Sequence, residues 1–169
     1  MKTVLTGSGN AETEWTKTAP GPAVVHISGN SASQYFAVWT LGTDKVLVLT
    51  VEPYDGVRVL GWSGESTGFD VRAVGSWRIE VLPLSAMPTF DNSFEGEGNM
   101  VVRFTGEGSV AEITGNDAGR YFEVRAYGTH GLHLSLVETT RPYAGSCQIS
   151  RGHQVFEVQA IGSWTIAMT

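Results

Sequence analysis

Apolar and polar positions alternate along much of this chain. "YFAVW" (35–39), "FDVRAV" (69–74) and "WRIEV" (77–81) each switch at every residue, and β-branched and aromatic residues dominate them. Strict alternation is the mark of a half-buried strand, because successive side chains leave a strand on opposite faces. Gly, Asn, Asp and Pro-Tyr turns interrupt the runs every 8–12 residues or so. No helical periodicity longer than two turns is present. Short strands at this spacing predict a sandwich or jelly roll.

The pattern is written twice. From His26 to Val38 against Glu112 to Val124, 7 of 13 positions are identical; from Phe69 to Ile79 against Phe156 to Ile166, 7 of 11 are. "EPYDG" (52–56) answers "RPYAG" (141–145), and "GSGN" (7–10) answers "GEGN" (96–99). The offset drifts between 86 and 89, so insertions fall between the matched blocks, where loops tolerate them. The expected fold is therefore all-β: two tandem, internally duplicated antiparallel β-sandwich domains of jelly-roll type. Repeat one is placed at 1–82 and repeat two at 95–169. The proline-containing stretch 83–94 reads as a linker.

Aligning the copies sorts inward from outward positions. Phe36 and Val38 match Phe122 and Val124; Phe69, Val71 and Ala73 match Phe156, Val158 and Ala160; Trp77 and Ile79 match Trp164 and Ile166. These are assigned to the core. Positions that differ are assigned to solvent: Ala37 against Glu123, Asp70 against Glu157, Arg72 against Gln159. Cys147 matches Arg58 and reads as a partly exposed thiol on an outward strand position. Trp39 matches Arg125, so it also points outward, on one face with Tyr35 and Ala37. Trp62 has no counterpart. Trp39, Trp62 and Tyr35 are thus the candidate ligand- or partner-binding residues. An outward Trp calls for a cover: the other repeat, a second subunit or a ligand.

Composition narrows the function. The 169 residues are 41 % hydrophobic and 17 % charged, which is globular. Net charge is −6, the 11 basic residues are scattered, and no lysine follows Lys45, so no nucleic-acid footprint exists. No apolar run reaches the roughly 20 residues of a membrane-spanning helix. One cysteine excludes an internal disulfide. The opening lacks the apolar segment of a signal peptide, while an extracellular or surface setting suits the sandwich pattern slightly better than the cytoplasm.

Candidate chemistry is sparse. "GESTG" (64–68) matches G-x-S-x-G, but a strand follows where a nucleophile elbow needs a helix, so Ser66 reads as a turn residue. His130 and His133 are three apart and would leave a strand on opposite faces. The turns at Asn30 and Asn116 read as Asx turns in which the side chain caps its own bend. Their oxygens, with Asp55, are the one place for a calcium ion, although no D-x-D-x-D/N spacing occurs; otherwise no cofactor and no metal is expected. Trp77 and Trp164 in "GSW" fill the cores, and Tyr54 and Tyr143 in "PY-x-G" are corner residues.

The set "I-[ST]-G-N-x-x-x-x-[YF]-F-x-V", "PY-x-G" and "GSW-x-I" resembles tandem β-sandwich repeats of uncharacterised actinobacterial proteins. It is also loosely similar to bacterial pre-peptidase C-terminal accessory domains, without their Asp-rich run. The resemblance implies an accessory or recognition module with no catalytic residue to carry over. The expected function is a non-enzymatic binding or structural module, with a protein partner or self-association ahead of a glycan. The alternative is a carbohydrate-binding accessory domain of a secreted hydrolase.

Overall fold

The computed structural model describes residues 2–16, 21–43, 45–61, 67–129, 131–150 and 152–169. It is all-β and divides into two compact units, Met1–Ala86 and Met87–Thr169.

The first unit has eight strands: β1 (Thr3–Ser8), β2 (Ala11–Glu14), β3 (Ala23–Gly29), β4 (Phe36–Leu41), β5 (Val46–Thr50), β6 (Tyr54–Gly61), β7 (Gly68–Ala73) and β8 (Ser76–Pro83). They form two antiparallel four-stranded sheets, β1-β8-β3-β6 and β2-β7-β4-β5. Every chain-adjacent strand pair except β4–β5 switches sheets, which is the jelly-roll connectivity. Alternate residues meet between the sheets, where Val25, Ile27, Phe36, Val38, Phe69, Val71, Trp77 and Ile79 make the core. All but Trp77 are wholly inaccessible.

The second unit runs β9 (Thr89–Phe90), β10 (Ser93–Glu97), β11 (Met100–Phe104), β12 (Val110–Gly115), β13 (Phe122–Gly128), β14 (His133–Thr139), β15 (Tyr143–Gln148), β16 (His153–Gln159) and β17 (Ser163–Met168). Its sheets are β10-β17-β12-β15 and β14-β13-β16-β11-β9. Strand for strand this is the order of the first unit, with β9 added in parallel beside β11. Its core holds Phe122, Val124, Phe156, Val158, Trp164 and Ile166, the positions the alignment assigns inward.

The segment 83–94 is not a free linker. Its first residue ends β8, a 3₁₀ turn occupies Leu84–Ala86, and β9 lies within it. Phe90 is buried, with ring centroids 5.3 Å from Phe104 and 5.9 Å from both Phe94 and Phe156. An aromatic side chain that buries this much area fixes the backbone that carries it.

The repeated polar motifs are fasteners. Trp77 Nε1 donates to Gly9 O at 3.0 Å, and Trp164 Nε1 donates to Gly98 O at 3.0 Å. The indole lies so close over Gly7, or Gly96, that a Cβ there would sit 2.3 Å from the ring. Asn10 and Asn99 accept from the amides of Ala73 and Ala160 at 3.1 and 2.8 Å. "G-x-G-N" and "GSW" are therefore two halves of one clasp. Asn30 and Asn116 adopt φ of 64° and 65°, a region that asparagine tolerates better than most residues. Each accepts from the amide four residues on, at 2.8 Å. Each also donates to the carbonyl of that residue and to a distant one, Glu52 or Arg141. These are the expected side-chain-capped turns, fully hydrogen-bonded.

Candidate functional site

Each unit has one sheet face turned away from its core that carries the outward positions of β4 or β13, and the two faces differ. In the first unit this face belongs to β2-β7-β4-β5. Across it, Ala37 stands opposite Leu49 on one side and Arg72 on the other, and Trp39 stands opposite Val46 and Asp70. Trp39 is half-buried, and Tyr35, just before β4, is 49 % exposed. Two of the three residues predicted to bind, Trp39 and Tyr35, thus share a face. Trp62 lies outside the described residues, as do Ser66 and His130. The alignment missed their neighbours on β5: Val46, Leu49 and, just after the strand, Val51 are 45 %, 63 % and 64 % exposed. The uncharged run "VLVLTV" was the available signal.

The face is not apolar throughout. On the β7 side Arg72 Nε lies 2.9 Å from Asp70 Oδ1, and Arg72 Nη2 donates to Asp70 Oδ2 at 3.0 Å. Apolar residues therefore concentrate along β4 and β5.

In the second unit the matching face carries an ion-pair network. Arg125 Nη2 lies 2.5 Å from Glu123 Oε1, Gln159 donates to the other oxygen of Glu123, and Tyr127 OH donates to Glu157 Oε2 at 2.6 Å. His133 lies 5.5 Å from the Tyr127 ring. Glu123 and Glu157 are 2 % and 1 % exposed. Three positions assigned to solvent are therefore buried: Ala37, Glu123 and Glu157. Alternation decides which face a residue takes, while cover on that face comes from neighbours two residues away and across the strands. Buried carboxylates persist only when paired and hydrogen-bonded, and these are. Arg72 is exposed as expected, and Asp70 and Gln159 are half-buried.

The network is electrostatically settled. Burial pulls the Arg125 guanidinium down, but the Glu123 carboxylate outweighs it and raises the group above its ordinary value. Burial, then the charge of Glu157, pushes the Tyr127 phenol well above the usual tyrosine range. Burial and Glu123 raise Tyr121 likewise. Arginine stays charged and the phenols neutral across the physiological range, so they offer fixed donors rather than protons to transfer.

Cys147 and Arg58 also depart from their outward assignment. Arg58 is 5 % exposed, and its Nη1 donates to Leu47 O at 2.7 Å. The Cys147 thiol donates to Leu136 O at 3.3 Å and lies 3.6 Å from Tyr143 OH. Leu47 and Leu136 are the extra residues of matching β-bulges, opposite Val38/Trp39 and Val124/Arg125. Two unlike side chains supply the same donor to the same irregular carbonyl.

Among the described residues no group of three or more His, Cys, Asp or Glu could hold a metal ion. The side-chain oxygens of Asn30 and Asn116 already accept backbone amides, and Asp55 accepts from, or pairs with, His26 Nε2 at 2.5 Å. The oxygens that suit calcium are thus committed. Two shallow depressions in the second unit, of about 360 Å³ beside Ile149 and His153 and about 390 Å³ beside Tyr143 and Trp164, include no predicted residue.

Fold and faces define an all-β sandwich protein of two jelly-roll units. No protein-family model matches the chain, and no curated protein does. Among solved structures it is similar to the regulatory subunit of a cAMP-independent protein kinase A from Trypanosoma cruzi bound to guanosine. That match has 11 % identity over 99 % of this chain and 72 % of the other, with a TM-score of 0.29. The Trypanosoma brucei counterpart matches at 10 % identity over 99 % and 74 %, with a TM-score of 0.27. Scores this low do not define a shared fold.

Proposed function

We propose that the chain is a non-enzymatic binding or structural module, a tandem repeat whose second copy keeps the scaffold while the first presents a binding face. The partner is a protein or a second copy of the chain, on a cell or particle surface or within a larger assembly. One observation carries this reading. Tyr35, Ala37, Trp39, Val46, Leu49 and Val51 occupy a face whose matching positions are Tyr121, Glu123, Arg125, Ser135, Glu138 and Thr140. Solvent gives no reason to hold a large apolar row in one unit and a charged one in the other, whereas a partner does.

A second reading, a carbohydrate-binding accessory domain, draws support from Trp39 and Tyr35 standing on one sheet face, where flat rings suit sugar stacking. A polysaccharide array run beside sedimentation of the protein alone separates the two. Whichever association is found should weaken in Trp39→Arg, with the unfolding midpoint unchanged. Turnover of a nitrophenyl ester that Ser66→Ala abolishes would replace both readings with a hydrolase.

A further inference from the structure

The sheet β2-β7-β4-β5 stops at β5, and no strand of the described residues pairs with its far side. Edge strands offer unpaired N–H and C=O groups to any other strand, and proteins ordinarily guard them with charge, proline or a bulge. Here the bulge opposite Val38/Trp39 disturbs only the start of β5, and pairing is regular from Val48 to Thr50. The run Val46–Val51 holds no charge, no glycine and no proline. It has the composition of a segment that pairs with copies of itself. The matching strand β14 is guarded, because Glu138 stands where β5 has Leu49.

The strand ends say which occupant fits. Lys45 precedes β5, and Glu52 follows one residue after its last exposed valine, Val51. An antiparallel copy of the same strand brings the lysine end of each beside the glutamate end of the other, twice. A parallel copy sets like charges together. We propose that β5 pairs antiparallel with β5 of a second copy of this chain, about a two-fold axis, joining two four-stranded sheets into one of eight. The inference rests on the reading of this face as a binding surface and names its partner. Because strand period is two, an in-phase register places the exposed Leu49 opposite the partner's Leu49 or Val51, and the Trp39 rows continue across the joint. The contact is isologous, so it closes as a dimer and does not propagate.

Sedimentation velocity of the full chain over a micromolar concentration series tests this, with hydrogen exchange as a second readout. The expected result is a concentration-dependent dimer in which the β5 amides gain protection as the dimer fills. Leu49→Lys, which gives β5 the guard that β14 has, should weaken the dimer at least about tenfold, the effect of an uncompensated charge at an interface, with the unfolding midpoint unchanged. Glu52→Lys should weaken it at low salt and lose that effect at high salt. A chain monomeric at every concentration overturns the proposal. So does a dimer indifferent to Leu49→Lys, or one whose β5 amides exchange as in the monomer. Fibres in place of dimers overturn the two-fold arrangement. A monomer whose Trp39 face still binds a glycan or another protein sinks self-pairing alone; a monomer with no Trp39-dependent binding sinks the binding-face reading with it.

Discussion

The outer face around β4 and the outer face around β13 share a backbone and differ in chemistry. In the first unit Ala37 and Trp39 sit beside Leu49 and Val46. In the second, Glu123 and Arg125 sit beside Glu138 and Ser135. The cores beneath are matched nearly residue for residue. The contrast teaches that this scaffold tolerates either a satisfied ionic network or an apolar row above the same core. The choice between them is therefore free to follow what the face meets.

The largest effect should come from what the units share. Trp77→Ala and Trp164→Ala should each cost about 3–5 kcal/mol, the usual range for emptying a core aromatic site, read as two separate losses in chemical denaturation. A loss in one unit only would mean that the clasp has different work in the two. Next comes a transplant. Ala37→Glu introduces a buried carboxylate with Trp39 where the second unit has Arg125, and should cost about 3 kcal/mol, as for an unpaired buried charge. Adding Trp39→Arg should recover much of that; if the double variant is no better than the single, the two faces are not interchangeable. Tyr127→Phe leaves Glu157 without its phenol donor and should cost about 1–3 kcal/mol, with no effect expected on any association through the first unit.

The smallest effect is a pH dependence confined to the first unit. Hydrogen bonds from Lys2 and then Arg78 hold the Glu80 carboxyl below its ordinary value of 4.5, against the opposing pull of burial. A carboxyl lowered on folding stabilises the protein fully above its unfolded pKa. That stability is lost as pH falls from there through the folded value. Glu80→Gln should therefore be the less stable protein at neutral pH and equal to the parent in strong acid. A constant difference across the titration would assign the loss to packing.

The core was legible in the sequence because two copies vote on it: Phe36 and Phe122, or Trp77 and Trp164, agree where solvent would let them diverge. Disagreement was the weaker signal. Ala37 against Glu123 reads as exposure, yet both are buried, one being small beneath its neighbours and the other large but paired. Arg58 against Cys147 reads the same way and hides one shared task, a donor for a bulge carbonyl, that two chemistries perform. Trp39 and Tyr35 could be found from alternation alone. Leu49 and Val51 could not, because their part in the face depends on which strand ends the sheet, and that is decided by pairings 20 to 30 residues away.

The tryptophan clasp has a bearing on how the protein comes into being. The indole of Trp77 is fastened to Gly9, 68 residues earlier, and that of Trp164 to Gly98, 66 residues earlier. In each unit the first turn is thus held by the penultimate strand connection, so nearly the whole unit is spanned before the fastening can form. Loops of this length are slow to close, and jelly rolls depend on them throughout, which places such chains toward the millisecond-to-second end of folding rates. A nascent unit would leave the ribosome with its first hairpin unsecured until its last strands followed, and the uncharged β5 would be made well before them. The interval between those two events is when this chain is most exposed to misassembly, and it is set by sequence separation rather than by stability.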